Sequence, residues 1–290
     1  MNRYPIYCST GTIIGRLCNY DHKYICSLLP DVLKNTGIDG IELMMLPAFY
    51  DKLDIIAKDL EKTGMDFPVI HAEKNIGILF SEGDHESIRE GMRLFDVNCE
   101  MGKRIGAARL VLHLWGGFLS DAEIARHIKL CPELFEIADR YGLEILYENI
   151  PCSTNFPLDN LKAIYDLYPR TKVLFDTRFG EFHHQFDYLF SSDWLWDGAL
   201  SHIHISDLRE GADRDFTRLR PILHPREGLI DFADFFEKVK RHAYNGSVTL
   251  ESPVLFEQGI DTDKLTDTLV YIRELINASK TAHIGEPFLF

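Results

Sequence analysis

Short aliphatic and β-branched runs alternate with segments of helical period from one end of the chain to the other. Ile6-Tyr7-Cys8-Ser9 is the first run, and the helical stretch from about Tyr24 to Asn35 stops at Gly37, where glycine can take the left-handed conformation beyond a helix end. Gly40-Ile41-Glu42-Leu43-Met44 follows, then a helix over Leu53 to Lys62 whose Leu53, Ile56, Ala57 and Leu60 share a face, ended by Gly64. Pro68-Val69-Ile70-His71, a long helix over about His85 to Ile105, and Arg109-Leu110-Val111-Leu112-His113 continue the pattern. A helix from Asp121 to Tyr141, stopped by Gly142, precedes Glu144-Ile145-Leu146-Tyr147-Glu148; one from Leu158 to Tyr168, stopped by Pro169, precedes Lys172-Val173-Leu174-Phe175-Asp176. After a segment around Asp187 to Trp196 come Ser201-His202-Ile203-His204-Ile205, a helix over Phe232 to Ala243, an Asn245-Gly246 turn, Ser247-Val248-Thr249-Leu250-Glu251, and an amphipathic helix over Asp263 to Ala278.

Eight strand-like runs, each followed by a helix, have the size and order of a (β/α)8 TIM barrel in the α/β class. Two sequential βαβ domains are the alternative. The barrel reading gives a single domain over 1–290, with the barrel at about 4–280 and a tail over 281–290, and no Pro-, Gly- or Ser-rich linker interrupts it.

Strands buried on both faces read as continuous apolar runs, yet here most later runs end in an ionisable residue: His71, His113, Glu148, Asp176, His204 and Glu251. In a parallel barrel those ends lie on one rim, the face on which active sites of this fold are assembled. Carboxylates directly after such apolar runs are desolvated and repel one another, and a cluster of three needs a cation. A divalent metal meets that need, and three carboxylates with one imidazole suit Mn²⁺, Mg²⁺ or Co²⁺ and tolerate Zn²⁺. The competing explanation is a rim salt bridge from Glu148 or Glu251 to Arg109 or Arg178.

Composition narrows the partners. With 290 residues, 46% hydrophobic and 26% charged, the chain can bury a sizeable core. No apolar run approaches the length of a membrane span and the start does not read as a signal peptide, so a cytoplasmic protein without a membrane partner is expected. The six cysteines have no CxxC spacing and read as free thiols. A net charge of −14 works against nucleic acid as a partner.

The residues at the strand ends resemble the xylose-isomerase-like barrels, a family that includes ketose 3-epimerases, inosose isomerases and dehydratases, and type IV apurinic endonucleases. The resemblance runs from about Ile6 to Leu275. It implies one divalent metal, Mn, Mg, Co or Zn, held by Glu148 in Tyr147-Glu148-Asn149, Asp176 in Phe175-Asp176-Thr177, His204 in His204-Ile205-Ser206-Asp207 and Glu251 in Leu250-Glu251-Ser252. Pro225-Arg226-Glu227-Gly228-Leu229-Ile230-Asp231-Phe232 looks like the family's Gly-x-Gly-x-Ile-Asp-Phe element, with Arg226 and Glu227 departing from its Gly-rich turn. By this likeness the activity is isomerisation or epimerisation of a small sugar or polyol through an enediolate, with Glu148 and Glu251 as the catalytic pair that trades a proton. A dehydratase starting from the same proton abstraction is a close variant, and a barrel that binds metal or ligand without catalysis is the non-enzymatic reading. His71, His113, Arg178, Asp207 and His224 are the expected substrate-binding residues.

The endonuclease branch implies a different chemistry, zinc-dependent phosphodiester hydrolysis at abasic DNA. His71, His113 and His224 match its histidine positions, whereas Phe179 and Ile222 stand where it has zinc ligands; His183 and His184 are the available substitutes in the next loop. Phe179 also stands where several ketose epimerases hold a substrate hydroxyl with histidine. Arg178, Arg209, Arg226 and Lys74, near the rim loops, can recognise a phosphate or carboxylate, and Trp115-Gly116-Gly117 either offers N–H groups to a ligand or is a turn. His85, His127, His242 and His283 carry no expected role, with His127 at a helix surface. The apolar tail, Gly285 to Phe290, is expected to pack on the barrel or on a second subunit as a homodimer.

Overall fold

A computed structural model describes residues 4–34, 36–117, 120–209 and 215–278. Its strands β1 (Ile6–Ser9), β2 (Gly40–Met44), β3 (Val69–His71), β4 (Arg109–Leu112), β5 (Glu144–Glu148), β6 (Lys172–Asp176), β7 (Leu200–Ile205) and β8 (Ser247–Leu250) pair in sequence order, all parallel, and β8 closes on β1. This is the expected (β/α)8 barrel, and two separate βαβ domains are excluded because β1 to β8 all join one closed sheet.

Helices α1 (Lys23–Leu33), α2 (Leu53–Glu61), α3 (Asn75–Glu82), α4 (His85–Arg104), α5 (Ile124–Tyr141), α6 (Pro157–Leu167), α7 (Thr177–Phe182), α8 (Phe186–Ser191), α9 (Phe232–Arg241) and α10 (Thr262–Asn277) connect the strands or follow the last. Asp84, Asp231 and Asp261 cap α4, α9 and α10 by accepting from backbone N–H groups of the first turn. Gly142 ends α5 at φ 73°, the stop its position predicts. The additional α3 fills what the sequence pattern leaves as a connection. Helix α5 starts three residues later than Asp121, because the buried Asp121 carboxylate is occupied by the N–H groups of Ser153, Thr154 and Asn155 and braces that loop. The tail over 281–290, with its expected packing, lies outside the described residues.

Alternation along the strands sorts the core into two shells. Ile41, Leu43, Ile70, Leu110, Ile145, Val173, Ile203 and Val248 are buried in the main hydrophobic core with the helices. Tyr7, Val69, Val111, Leu146 and Leu174 form a separate cluster. Each fully buried aliphatic or aromatic side chain contributes roughly 1.5–3 kcal/mol, which is what holds the polar rim on a rigid frame.

The Gly-x-Gly-like element before α9 is built around Asp207. Its carboxylate accepts from the N–H groups of Leu208, Gly228 and Ile230, at 2.8, 3.0 and 3.1 Å. A Cβ at Gly228 would lie 2.2 Å from the Leu208 carbonyl oxygen, so no other residue fits there. Arg226, at the first glycine position of the motif, sits at φ 80° with its guanidinium 4.3 Å above the Tyr271 ring. The stacking offsets part of a backbone strain of about 1–3 kcal/mol.

Candidate active site

Register places the charged strand ends side by side. Asp176 is the partner of His204, His204 that of Thr249, and the Glu251 N–H donates to the Ile205 carbonyl at 3.1 Å. Asn149 ties β5 to β6 by accepting from the Asp176 N–H at 2.6 Å and donating to its carbonyl at 3.2 Å. Asp176 also caps α7, its Oδ1 accepting from the Phe179 N–H at 3.0 Å, which fixes the carboxylate and leaves Oδ2 free of hydrogen bonds among the described residues.

Glu148, Asp176, His204 and Glu251 each bring one potential ligand atom within 4.8 Å of the others. His204 Nδ1 lies 3.4 Å from both Glu148 Oε1 and Glu251 Oε2. All four residues carry a buried atom that makes no hydrogen bond among the described residues: Glu148 Oε2, Asp176 Oδ2, His204 Nδ1 and Glu251 Oε1. Buried carboxylate oxygens without donors are costly, and a divalent cation among them meets the need of each. The set, three oxygen donors and one nitrogen, fits Mn²⁺, Mg²⁺, Co²⁺ or Zn²⁺.

Electrostatics accord with that fit. Burial pushes the Glu148 carboxyl up, yet His113, His204 and His71 hold it well below the usual carboxylate range. Burial raises Glu251 too, and His204 and Lys74 bring it down to about 2. Asp176 is lifted to about 6 by burial and by Glu148 and Glu251, against the pull of Arg178. Burial works to lower His204, but Glu251, Glu42 and Glu148 raise it well above its ordinary value. The cluster thus draws in a positive charge at His204.

His71 and His113 stand on the other side of Glu148. Their Nε2 atoms lie 3.5 and 2.5 Å from Glu148 Oε2, in neither case aligned for a hydrogen bond. His71 is fixed by Nδ1 on the Ala72 carbonyl oxygen at 2.8 Å. Burial drives His113 down to about 4 despite Glu148, so the ring is neutral near pH 7.

The other expected substrate-binding residues have hydrogen-bond partners within the protein. His224 has Nδ1 2.9 Å from Thr268 Oγ1 and Nε2 3.1 Å from the Pro253 carbonyl oxygen, Asp207 is held by backbone N–H groups, and Arg178 donates to Ser206 Oγ and to the Leu219 carbonyl. Arg178 stacks on Phe179 at 4.2 Å, and its field reaches Asp176. Arg109 donates to the Ser201 carbonyl oxygen at 3.1 Å, so neither arginine forms the salt bridge that could have explained Glu148 or Glu251. His183 Nε2 accepts from the Cys152 N–H at 3.1 Å, and the Gly116 N–H is taken by Ser81 Oγ at 3.0 Å. His127 corrects the expectation of a surface position: it is fully buried, with Nε2 3.1 Å from Ser81 Oγ and Nδ1 3.1 Å from the Glu123 carbonyl oxygen.

Sequence reasoning missed two residues beneath the rim. Glu42 and His202, both fully buried, meet at 3.1 Å, and Glu42 also meets His204 at 3.1 Å. The signal was present: Glu42 is the one charged residue in Gly40-Ile41-Glu42-Leu43-Met44, and His202 stands two residues before His204, hence on the same face of its strand.

A family model described as a xylose isomerase-like TIM barrel matches residues 30–266. Among solved structures, the chain is similar to D-allulose 3-epimerase from Methylomonas sp. in complex with D-allulose, with a TM-score of 0.69 and 16% identity over 94% of this chain and 98% of that one. It is also similar to 3-keto-D-glucoside 4-epimerase from E. coli, with a TM-score of 0.65 and 18% identity over 93% and 99% of the two chains. A third is D-psicose 3-epimerase with D-tagatose from Clostridium cellulolyticum, with a TM-score of 0.66 and 14% identity over 94% and 100%. At these identities the likeness establishes a shared fold. No curated protein matches the sequence, and no helix among the described residues is long and apolar enough to cross a membrane.

Proposed function

The chain belongs to the xylose isomerase-like TIM barrel family, and from that membership and the geometry of its rim we propose that it is a divalent-metal-dependent isomerase or epimerase of a small sugar or polyol. One observation carries the reading: four residues from four strand ends converge, each with a buried atom that makes no hydrogen bond among the described residues. The structurally similar proteins named above act on D-allulose, D-psicose and a 3-keto-D-glucoside, which favours a ketose or a related cyclic ketone here.

Glu148, Asp176, His204 and Glu251 are the metal ligands in this proposal. When bound, the ion supplies the positive charge that polarises a carbonyl and a neighbouring hydroxyl. Glu148 and Glu251 form the acid–base pair. One removes the proton from the carbon next to the carbonyl, the C–H electron pair moves toward the carbonyl oxygen to give an enediolate, and the other returns a proton to carbon. His71 and His113 hold substrate hydroxyls through Nε2, and His113 is the more exposed of the two. Arg178, Asp207 and His224 brace the walls instead. Loss of a hydroxide from the same enediolate gives the dehydratase variant.

A panel of ketoses, inososes and their phosphates, incubated in D₂O with protein loaded with about one divalent ion per chain, tests this. Incorporation of a deuteron next to the carbonyl by one of them is the expected result; no exchange with any member would reject the proton-transfer reading.

The group formed by His71, His113 and Glu148 favours one second reading, a zinc phosphodiesterase acting on abasic DNA. It lacks ligands, since His224 is spent on Thr268 and Pro253 and residues 179 and 222 are Phe and Ile. Two or more zinc ions per chain, with cleavage of abasic DNA, would select it.

A further inference from the structure

The rim quartet rests on a second polar layer inside the barrel. Glu42 on β2 crosses the lumen to β7 and β8, where its Oε2 receives three groups: His204 Nε2 at 3.1 Å, His202 Nε2 at 3.1 Å and the Thr249 hydroxyl at 2.9 Å. His202 is itself fixed, with Nε2 2.8 Å from Thr249 Oγ1 and Nδ1 2.6 Å from Ser247 Oγ. Glu42, His202 and Thr249 are all fully buried. The second Glu42 oxygen, Oε1, makes no hydrogen bond among the described residues. A buried carboxylate with an unmet oxygen is a poor device for stability, so its placement asks for another explanation.

His204 is the one residue common to both layers. Its Nδ1 faces Glu148 and Glu251 in the upper layer and its Nε2 faces Glu42 in the lower one. An imidazole binds a metal through a nitrogen that carries no proton, and the hydrogen bond made by the other nitrogen decides which one that is. We infer that Glu42 is a positioning residue for the metal centre: by accepting the Nε2 proton of His204 on Oε2, it selects the tautomer and ring orientation that aim the Nδ1 lone pair at the point where Glu148, Asp176 and Glu251 converge. Thr249 and His202 hold Glu42 in place for that task. The inference rests on the metal site proposed above and adds to it a residue from the opposite wall of the barrel, outside the quartet.

Two measurements test it, both on the full chain. Metal-free parent and Glu42→Gln are titrated with Mn²⁺, with the free ion followed by electron paramagnetic resonance, and His204 in the Zn²⁺-loaded parent is examined by long-range proton–nitrogen NMR correlation. The expected result is about one Mn²⁺ per parent chain, about 10–100-fold weaker binding in Glu42→Gln, and a Zn²⁺-loaded His204 protonated at Nε2 and metallated at Nδ1. Equal Mn²⁺ affinity in a folded Glu42→Gln would overturn the positioning role and leave the metal site standing. Absence of Mn²⁺ binding in the parent would overturn both. The NMR measurement needs no variant: a Zn²⁺-loaded His204 with its proton on Nδ1 rejects the inference even if Glu42→Gln does not fold.

Discussion

Three histidines stand around Glu148, and the two sides of the rim use them in opposite ways. On the β7–β8 side, His204 lies among Glu148, Glu251 and Glu42, and these carboxylates outweigh burial and raise its affinity for a proton. On the β3–β4 side, His113 meets Glu148 alone, and burial takes it down to about 4. His71 lies between them, its ring 5.1 Å from that of His113 and 6.0 Å from that of His204. Over so short a distance the backbone frame is the same, so the number of neighbouring carboxylates decides which imidazole attracts a cation. On the proposed reading, one half of the rim collects charge for a metal, and the other presents the neutral His113 ring to a substrate hydroxyl.

The largest effect is expected from breaking the charged half. In the proposed mechanism Glu251→Gln removes a ligand charge and a proton carrier together, and turnover should fall by about 10²–10⁴-fold or more, with metal content per chain reduced in elemental analysis. The metal itself should stabilise the fold: at an ion concentration of about 100 times Kd the gain is about 2.7 kcal/mol, read as a higher melting temperature that chelator abolishes and Mn²⁺ restores. Full activity in Glu251→Gln, or a melting temperature indifferent to metal and chelator, would erase the distinction between the two halves.

A smaller effect is expected from the neutral half. His113→Gln should keep about one metal ion per chain while kcat/KM falls by about 10–100-fold, the loss of one hydrogen bond of about 1.5–3 kcal/mol to a charged or developing-charge group. Steady-state kinetics beside metal analysis checks it. If the variant instead loses an ion, the imidazole pair is itself a metal site and the comparison fails in favour of the phosphodiesterase reading.

The division between halves was half legible in the sequence. Glu148, Asp176 and Glu251 each follow a largely apolar run, and His204 alternates with Ile203 and Ile205, so strand periodicity fixes their faces and eight strand–helix alternations suffice to bring them to one rim. His71 and His113 were legible for the same reason. Glu42 was not, because it lies within its strand instead of at the end, and a lone carboxylate among Ile41, Leu43 and Met44 does not say what crosses the lumen to meet it. For His224, Asp207 and Arg178 position near the rim was visible, but their intramolecular partners at Thr268, Pro253, Gly228 and Leu219 come from segments distant in sequence and were not.

His127 sharpens the comparison from outside the rim, since it is a buried imidazole with no carboxylate in contact among the described residues. Its partners are Ser81 Oγ and the Glu123 carbonyl oxygen, and it packs α5 against the C-terminal end of α3. His127→Ala should leave turnover unchanged while costing about 1–3 kcal/mol of stability, the usual range for a lost buried hydrogen bond and the cavity beside it. The pH dependence has a definite sign. Burial lowers the His127 pKa from its ordinary 6.5, so the unfolded chain takes up this proton more readily than the folded one. The stability held by the neutral ring is complete above that ordinary value and is lost as pH falls through it toward the folded value. The parent's advantage over His127→Ala in chemical denaturation should therefore shrink between about pH 7.5 and 5.5. An advantage that grew toward acid would mean that His127 is stabilised in its protonated form, as His204 is, and that burial alone does not separate the neutral imidazoles of this barrel from the charged one.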